Sequence, residues 1–110
     1  MGTATSTAPR TLAEDLRART DDELEALLRA RPDLCVPVPA DVTALATRAT
    51  VRVSVLQAVD RLDRFNLHVV EALAVLPEPT TPQAVQALLA APMDAVRDAL
   101  ASLRTQAIVW

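Results

Sequence analysis

The fold is decided by residues 66–110, which read NLHVVEALAVLPEPTTPQAVQALLAAPMDAVRDALASLRTQAIVW. Apolar residues recur in this stretch about every three to four positions, which is the spacing of helices with one buried face. The segments that follow this spacing are 67–76, 82–89 and 93–104. The final five residues are instead of the types that favour β-strands. The stretch therefore predicts three helices followed by a strand.

The boundaries of these helices follow from capping residues and prolines. Asn66 is a favourable N-cap for the first helix, and Pro77 ends it because proline lacks the amide hydrogen that a helix interior requires. Thr81 followed by Pro82 predicts the next helix start, since proline suits the first helical position. A short turn at 90–92 then leads into the last helix. The side chains predicted to face the core are Leu67, Val69, Val70, Leu73, Val85, Leu88, Leu89, Val96, Leu100 and Leu103.

The order of these elements is that of the front half of a winged helix. In that fold a strand after the third helix pairs with a following hairpin strand. A strand formed by Ile108, Val109 and Trp110 would otherwise leave an apolar edge unpaired, which proteins avoid. We therefore expect the chain to be the N-terminal piece of a longer protein, with residues 65–110 forming a partial winged-helix unit.

Residues 11–64 predict a helical N-terminal subdomain, preceded by a disordered leader at 1–10, which is small and polar. Thr11 with Glu14, and Thr20 with Glu23, each match the capping box that begins a helix. Pro32 ends the second of these helices. Residues 32–40 are a proline-rich connector, PDLCVPVPA, which we expect to be tight and partly buried.

Two further helices are predicted after the connector. Asp41 is a favourable cap for a third helix, and Thr50 for a fourth helix that extends to about residue 63. The fourth helix is expected to turn Val55, Leu56, Val59 and Leu62 inward. The predicted fold class is therefore all-α, with an N-terminal helical cluster packed on a truncated helix-turn-helix or winged-helix unit.

The composition excludes several classes of protein. Of the 110 residues, 51% are apolar and only one is glycine, which indicates a globular chain rather than a disordered or fibrous one. No apolar run approaches the roughly 20 residues that span a bilayer, so no membrane association is expected. The single cysteine, Cys35, excludes an internal disulfide and fits the reducing cytoplasm, where we place the protein.

No catalytic or cofactor-binding site is predicted. His68 and Glu71 are one helical turn apart, but zinc requires three or four converging ligands and the chain has no second histidine. Cys35 has no neighbour that would favour its thiolate. Gly2 is the only glycine, which excludes a glycine-rich phosphate loop. We therefore expect no catalytic residue, no cofactor and no metal, and hence no enzyme.

The arginines are the candidate contacts with nucleic acid or with a partner. The outer face of the last helix contains Asp94, Arg97, Asp98, Ala101, Arg104 and Thr105, whose charges nearly cancel. Because phosphate contacts need several net positive charges, we expect at most weak DNA binding there. The segment 42–76 has four arginines against three acids, so it is either an auxiliary DNA surface or, preferably, a helix–helix surface. The full candidate set is Arg48, Arg52, Arg61, Arg64, Arg97 and Arg104.

Three segments also resemble a known family. They are LAEDLRARTDDELEALLRARPDLCVPVPADVTALATRAT at 12–50, VLQAVDRLDRFNLHVVEALAVLP at 55–77, and LLAAPMDAVRDALASLRTQAIVW at 88–110. The chain is similar in them to the N-terminal region of the XPB-like helicase-associated proteins of high-GC bacteria. The resemblance implies a domain attached to a helicase-like part that acts in DNA repair or transcription. It transfers no ATP-binding residue, because the chain has no Walker loop.

The leading expectation is thus a non-catalytic interaction or regulatory domain whose partner is the rest of its own polypeptide or another protein. One alternative is a winged-helix transcriptional regulator that binds DNA. Another is a homodimeric helical adaptor in which the strand at 108–110 pairs with its copy across a two-fold axis. The oligomeric state is not decided by the sequence.

Overall fold

The structure, a computed structural model, describes residues 11–110, and the disordered leader predicted at 1–10 lies outside them. Within the described residues the fold is all-α, with seven α-helices and no strand. The helices are α1 (Leu12–Ala18), α2 (Asp21–Ala30), α3 (Val42–Ala49), α4 (Arg52–Asp60), α5 (Arg64–Val75), α6 (Pro82–Leu89) and α7 (Met93–Thr105). A single 3₁₀ turn, Pro32–Cys35, follows α2.

The first two helices begin at the predicted capping boxes. The Thr11 hydroxyl accepts a hydrogen bond from the Glu14 amide, and the Glu14 carboxylate accepts one from the Thr11 amide, both at 3.1 Å. Thr20 and Glu23 repeat this exchange at the start of α2. Each box satisfies amides that have no partner within the helix. The sequence was sufficient to predict these two helix starts, because both residues of each capping box lie within one helical turn.

The start of α4 differs from the prediction. Asp41 caps α3 as expected, with its carboxylate accepting from the Ala44 amide at 2.7 Å. Thr50, however, does not cap α4, because its hydroxyl donates to the Thr47 carbonyl at 2.9 Å and thereby closes α3. The N-cap of α4 is Val51, whose side chain accepts nothing. The fourth helix is also shorter than predicted and ends at Asp60.

The buried face of α4 is not the predicted one. Leu56 was expected to point inward, yet it is 49% exposed. The residues of α4 that are buried are Ser54 and Ala58, while Val55 and Val59 are half-buried. Ser54 faces inward because its hydroxyl is hydrogen-bonded to Arg31 and Asp33, and Leu56, two residues further along the helix, is therefore turned to the outside.

The cap of α5 is Asp63, and the prediction of Asn66 as its N-cap is wrong. The Asp63 carboxylate accepts from both the amide and the side-chain nitrogen of Asn66, each at 2.8 Å. Thr81 caps α6 as predicted, accepting from the Ala84 amide at 3.1 Å. Within α6, Val85 is fully buried, but Leu88 is half-exposed and does not belong to the core as predicted.

Helix α7 ends in a turn, and the predicted strand at 106–110 is not formed. Ala107 adopts a positive φ of 55°, which reverses the chain direction. Its amide donates to the Arg104 carbonyl, and the Ile108 amide donates to the Leu103 carbonyl, both at 3.0 Å. These two bonds are the Schellman motif that commonly closes helices. The Val109 amide also donates to Leu103, so the backbone folds back instead of extending.

The core has two hydrophobic clusters. The first lies among α1, α2, the 3₁₀ turn and α3, and it also contains Ala107 from the C-terminal turn. The second lies among α5, α6 and α7, which pack pairwise as a three-helix unit. Contacts between α2 and α7 connect the two parts. In residues 11–110 no helix is both long and apolar enough to cross a membrane.

Candidate interaction surface

Arg48, a predicted contact residue, is engaged within the protein. Its guanidinium donates to the Leu34 carbonyl at 2.9 Å and also to the Pro37 carbonyl. Both acceptors belong to the proline-rich connector, which Arg48 therefore fixes against the last turn of α3. An arginine with these bonds has little capacity left for an external partner.

Arg52, Arg61 and Arg64 are exposed and lie at the two ends of α4 and the start of α5. Arg52 is the first residue of α4, Arg61 is its C-cap, and Arg64 begins α5. Among the described residues none of the three forms an ion pair. Their charges are therefore available to a partner.

Arg97 and Arg104 lie on α7, seven residues apart and both exposed. Arg104 lies beside an open groove of about 500 Å³ between α7 and the first two helices, with its guanidinium 3.8 Å from the Asp15 carboxylate. Asp22 and Glu23 line the same groove. The C-terminal half of the outer face of α7 is thus opposite acidic residues. The structure distributes the six predicted arginines over the connector, the α4–α5 region and α7.

Arg31, which was not among the predicted residues, is fully buried where the two parts of the chain meet. Its guanidinium donates to the carbonyl of Ala49 at 2.8 Å and to the carbonyl of Gln106 at 3.0 Å. It also donates to the Ser54 hydroxyl at 2.8 Å, which in turn donates to the Asp33 carboxylate at 2.5 Å. Burial lowers the pKa of Arg31, and the negative charge of Asp33 opposes that shift.

Arg19 was missed in the same way. Its guanidinium forms an ion pair with Asp15 at 3.0 Å, and both side chains are less than a tenth exposed. It also donates to the carbonyls of Arg104 and Thr105 at the end of α7. Positive charge is favourable at a helix C-terminus, where carbonyls lack partners within the helix. Arg19 and Arg31 therefore fix the end of α7 to the N-terminal helices.

A sequence signal for Arg31 was available. Arg29 has Glu25 four residues before it, as expected for an exposed helical pair, and the two form a salt bridge of 3.5 Å. Arg31 instead has Leu27 four residues before it and Leu34 three residues after it. An arginine with only apolar neighbours at helical spacing indicates a buried guanidinium. Its acceptors are too distant in the chain to be named from the sequence.

The most unusual surface is the outer face of α4, which we define as Arg52, Val53, Leu56, Gln57 and Asp60. All five residues are exposed, including Val53 at 63% and Leu56 at 49%. In the part of the chain that the structure describes, α4 packs mainly against α3. The side of α4 that is buried is opposite to the outer face. A surface helix normally turns its larger apolar side chains inward, but two of the four in α4, Val53 and Leu56, are exposed.

Two valines of the connector are also exposed. Val36 and Val38 are 78% and 80% exposed and flank Pro37, which Arg48 holds at the end of α3. The hydrogen bond from Ser54 to Asp33 fixes the start of the connector to α4. The connector and α4 thus both have exposed apolar side chains.

His68 and Glu71 are exposed on α5, and Cys35 is half-buried in the 3₁₀ turn. Within residues 11–110, no group of three or more histidine, cysteine, aspartate or glutamate side chains is placed to hold a metal. A second open groove, of about 860 Å³, lies between the α5–α6 loop and the C-terminal tail and contains Trp110.

Comparison with known proteins gives no relative from which a role could be transferred. No protein-family model, no curated protein and no solved structure matches the chain.

Proposed function

We propose that this chain is a non-catalytic interaction domain of a helicase-like protein that acts in DNA repair or transcription in the cytoplasm. The assignment to a helicase-like protein comes from the sequence resemblance. The interaction role is supported chiefly by one observation, the exposed Val53 and Leu56 on the outer face of α4. Contiguous apolar surface of this kind is typical of sites that contact other proteins. The partner is either the rest of the same polypeptide or a separate protein.

Direct DNA recognition is the less favoured function. In a helix-turn-helix the third helix enters the major groove, which here would be α7. Its outer face has two arginines and two aspartates, and its C-terminal half lies opposite Asp22 and Glu23. DNA phosphates would be repelled by these acids. A winged-helix regulator remains the second candidate because α5, α6 and α7 pack pairwise as a three-helix unit.

The homodimeric adaptor has less support. It would pair residues 108–110 with their copy as a strand. The amides of Ile108 and Val109 already donate to the Leu103 carbonyl, so pairing would require the turn after α7 to open.

The proposal is tested by titrating the chain with a labelled duplex and a labelled single strand over a series of salt concentrations. We expect weak binding with a shallow dependence on salt, since few phosphates would be neutralised. Tight binding with a steep salt dependence would overturn the interaction role in favour of DNA binding. The helicase assignment has a separate test, because helicase ATPase motifs should be encoded downstream of Trp110.

A further inference from the structure

Helix α4 begins without the groups that stabilise the starts of the other helices. Within residues 11–110, five of the other α-helices have an N-cap side chain that accepts from a first-turn amide, and these caps are Thr11, Thr20, Asp41, Asp63 and Thr81. Helix α7 has no such cap, but Asp94 lies in its first turn. Helix α4 has neither a side-chain cap nor an acid there. We call residues 51–54 the α4 start; its amides have no side-chain acceptor.

Arg52 adds positive charge where the helix already carries it. This exposed arginine is the first residue of α4 and forms no ion pair in the described part of the chain. Because a helix N-terminus is partly positive, an arginine there is unfavourable and an anion is favourable. Arg64 occupies the same position in α5, but there the Asp63 carboxylate accepts from the Asn66 amide at 2.8 Å. The α4 start has no such carboxylate at its N-cap.

A second positive charge lies beneath the α4 start. Arg31 is fully buried, and one nitrogen of its guanidinium donates at 2.8 Å both to the Ala49 carbonyl and to the hydroxyl of Ser54 in the first turn of α4. Across residues 11–110 no carboxylate is within ion-pair distance of this guanidinium. Its Nε–H, on the same edge as the nitrogen that binds Ser54, has no hydrogen-bond partner. Buried charges are normally paired, so Arg31 directs uncompensated positive potential at the α4 start.

One acid lies close to this arrangement. The Asp33 carboxylate accepts from the Ser54 hydroxyl at 2.5 Å, on the buried side of the helix, and offsets one of the two charges. The exposed side of the α4 start comprises Thr50, Val51, Arg52 and Val53, none of which is acidic. The accessible side therefore presents the first-turn amides and Arg52 without a neighbouring carboxylate from its own segment.

A phosphate group is the anion that these donors fit. Amides at a helix N-terminus point at a bound phosphate, and the helix dipole favours its charge. Arginine binds phosphate oxygens through two parallel hydrogen bonds. One exposed arginine and one helix start are sufficient for a single phosphate, whereas a nucleic-acid strand requires a row of positive charges. The near-double charge of a phosphate monoester is attracted more strongly than the single charge of a diester.

We propose that the α4 start binds one phosphate monoester group, held by the amides of residues 52–54 and by Arg52, with Arg31 supplying buried positive charge behind them. The group belongs either to a free phosphate compound or to a phosphorylated side chain of a partner. This site goes beyond the interaction role proposed above and does not depend on it.

The test is a nuclear magnetic resonance titration of the full, isotope-labelled chain at constant ionic strength. Inorganic phosphate should shift the amide signals of residues 52–54 and the Nε–H signal of Arg31, with saturation at a dissociation constant on the order of 1 mM. The amides that begin α6, which Thr81 caps, are an internal control and should not shift. A short alanine–glycine peptide with one phosphoserine, its unphosphorylated form and a short oligothymidine are titrated in parallel.

Matched variants locate the site. Val51→Asp places a carboxylate on the same amides, so it should weaken phosphate binding at least roughly tenfold while raising the melting temperature. The control is Val75→Asp, which adds the same charge at an exposed position of α5 and should change binding less than about twofold. Arg52→Gln should weaken binding by about threefold to tenfold, and Arg97→Gln, on the exposed side of α7, should leave it unchanged.

Each outcome bears on a separate part of the proposal. Phosphoserine peptide that binds at least about tenfold more tightly than phosphate would support a phosphorylated partner, and equal affinities would support a free phosphate compound. Shifts at every exposed arginine, or binding that Val51→Asp leaves intact, would overturn the site. Amide shifts without a shift of the Arg31 Nε–H would overturn the contribution of Arg31. Oligothymidine that binds more tightly than the phosphopeptide would overturn the monoester in favour of a nucleic-acid backbone.

Discussion

The guanidinium of Arg31 donates a hydrogen bond of 3.0 Å to the main-chain carbonyl of Gln106, a residue 75 positions further along the chain. The same buried side chain also binds the end of α3 and the start of α4. One arginine thus joins the end of α2 to the α3–α4 junction and to the turn after α7. The N-terminal helices and the three-helix unit are therefore joined by polar contacts as well as by hydrophobic ones.

Replacing Arg31 should be severely destabilising. We expect Arg31→Ala to lower the free energy of unfolding by about 3–4 kcal/mol, because it leaves buried carbonyls unpaired and opens a cavity. Arg31→Lys should also destabilise, since one ammonium cannot reproduce the planar fork of the guanidinium. Chemical denaturation followed by circular dichroism measures both. The control is Arg29→Ala, an exposed arginine two residues away, which should cost less than about 1 kcal/mol. Equal effects at positions 29 and 31 would contradict the role assigned to Arg31.

The ion pair between Asp15 and Arg19 should be a second sensitive point. Asp15→Ala removes the counter-charge of a guanidinium that stays buried, and we expect a loss of about 3 kcal/mol of unfolding free energy. Adding Arg19→Met should restore part of that loss, because the uncompensated charge is then gone. The comparison is Glu25→Ala, which breaks the exposed pair with Arg29 and should cost less than about 1 kcal/mol. Urea denaturation of the three variants provides the values, and a double variant less stable than Asp15→Ala would be inconsistent with this account.

Glycine should be stabilising at the turn between α6 and α7. Ala90 has a φ of 53°, a left-handed conformation in which a Cβ atom costs roughly 1–2 kcal/mol. After allowing for the greater flexibility of glycine in the unfolded chain, Ala90→Gly should add about 0.5–1 kcal/mol. Thermal unfolding measures the change. The same substitution at Ala87, within α6, should instead destabilise by about 1 kcal/mol. A loss of stability in Ala90→Gly would argue against the left-handed turn.

Stability should fall in acid through the carboxylates that cap helices. Hydrogen bonds from the backbone and then the side chain of Asn66 lower the pKa of Asp63 below 3.8, and those from Thr20 lower the pKa of Glu23 below 4.5. A carboxylate with a lowered pKa in the folded state stabilises the protein above its unfolded pKa, and this stabilisation is lost as the pH falls through the folded pKa. We therefore expect the unfolding free energy to decrease below about pH 4.5.

Asp63→Asn isolates one contribution to this acid dependence. Asparagine is also a good N-cap, so stability at neutral pH should change little. The fall in unfolding free energy between neutral pH and about pH 3 should be smaller than in the parent chain, because position 63 no longer binds a proton. Denaturation with guanidinium chloride at the two pH values measures this fall in unfolding free energy. An unchanged difference between the two pH values would show that the Asp63 cap does not contribute.

Local signals in the sequence predicted most of the helices. The boxes at Thr11 and Thr20, and the Thr81–Pro82 start, depend on residues within one turn, so their contacts could be anticipated. The N-cap of α5 was misplaced because Asp63 and Asn66 are both favourable caps, and only the structure shows which accepts from the other.

Features that depend on tertiary contacts could not be predicted. The periodicity of α4 allows Leu56 to face in or out, and the choice depends on how closely Ser54 and Ala58 approach neighbouring residues. The tail at 106–110 has a strand-forming composition, yet Ala107 takes a conformation usually found in glycine and redirects the chain. The candidate surface was therefore only partly anticipated, through Arg52 and not through its apolar residues.

The guanidiniums of Arg19 and Arg31, which bind the end of α7, also affect whether the chain can be expressed as two fragments. Arg19 and Arg31 lie in the first third of the chain, but the carbonyls they satisfy belong to residues 104–106. A fragment ending near residue 64 would leave both charges without these acceptors, and a fragment beginning there would leave the carbonyls of residues 104–106 without the two guanidiniums. Separate expression of the two halves should yield poorly folded pieces, and the intact chain should melt in one cooperative transition.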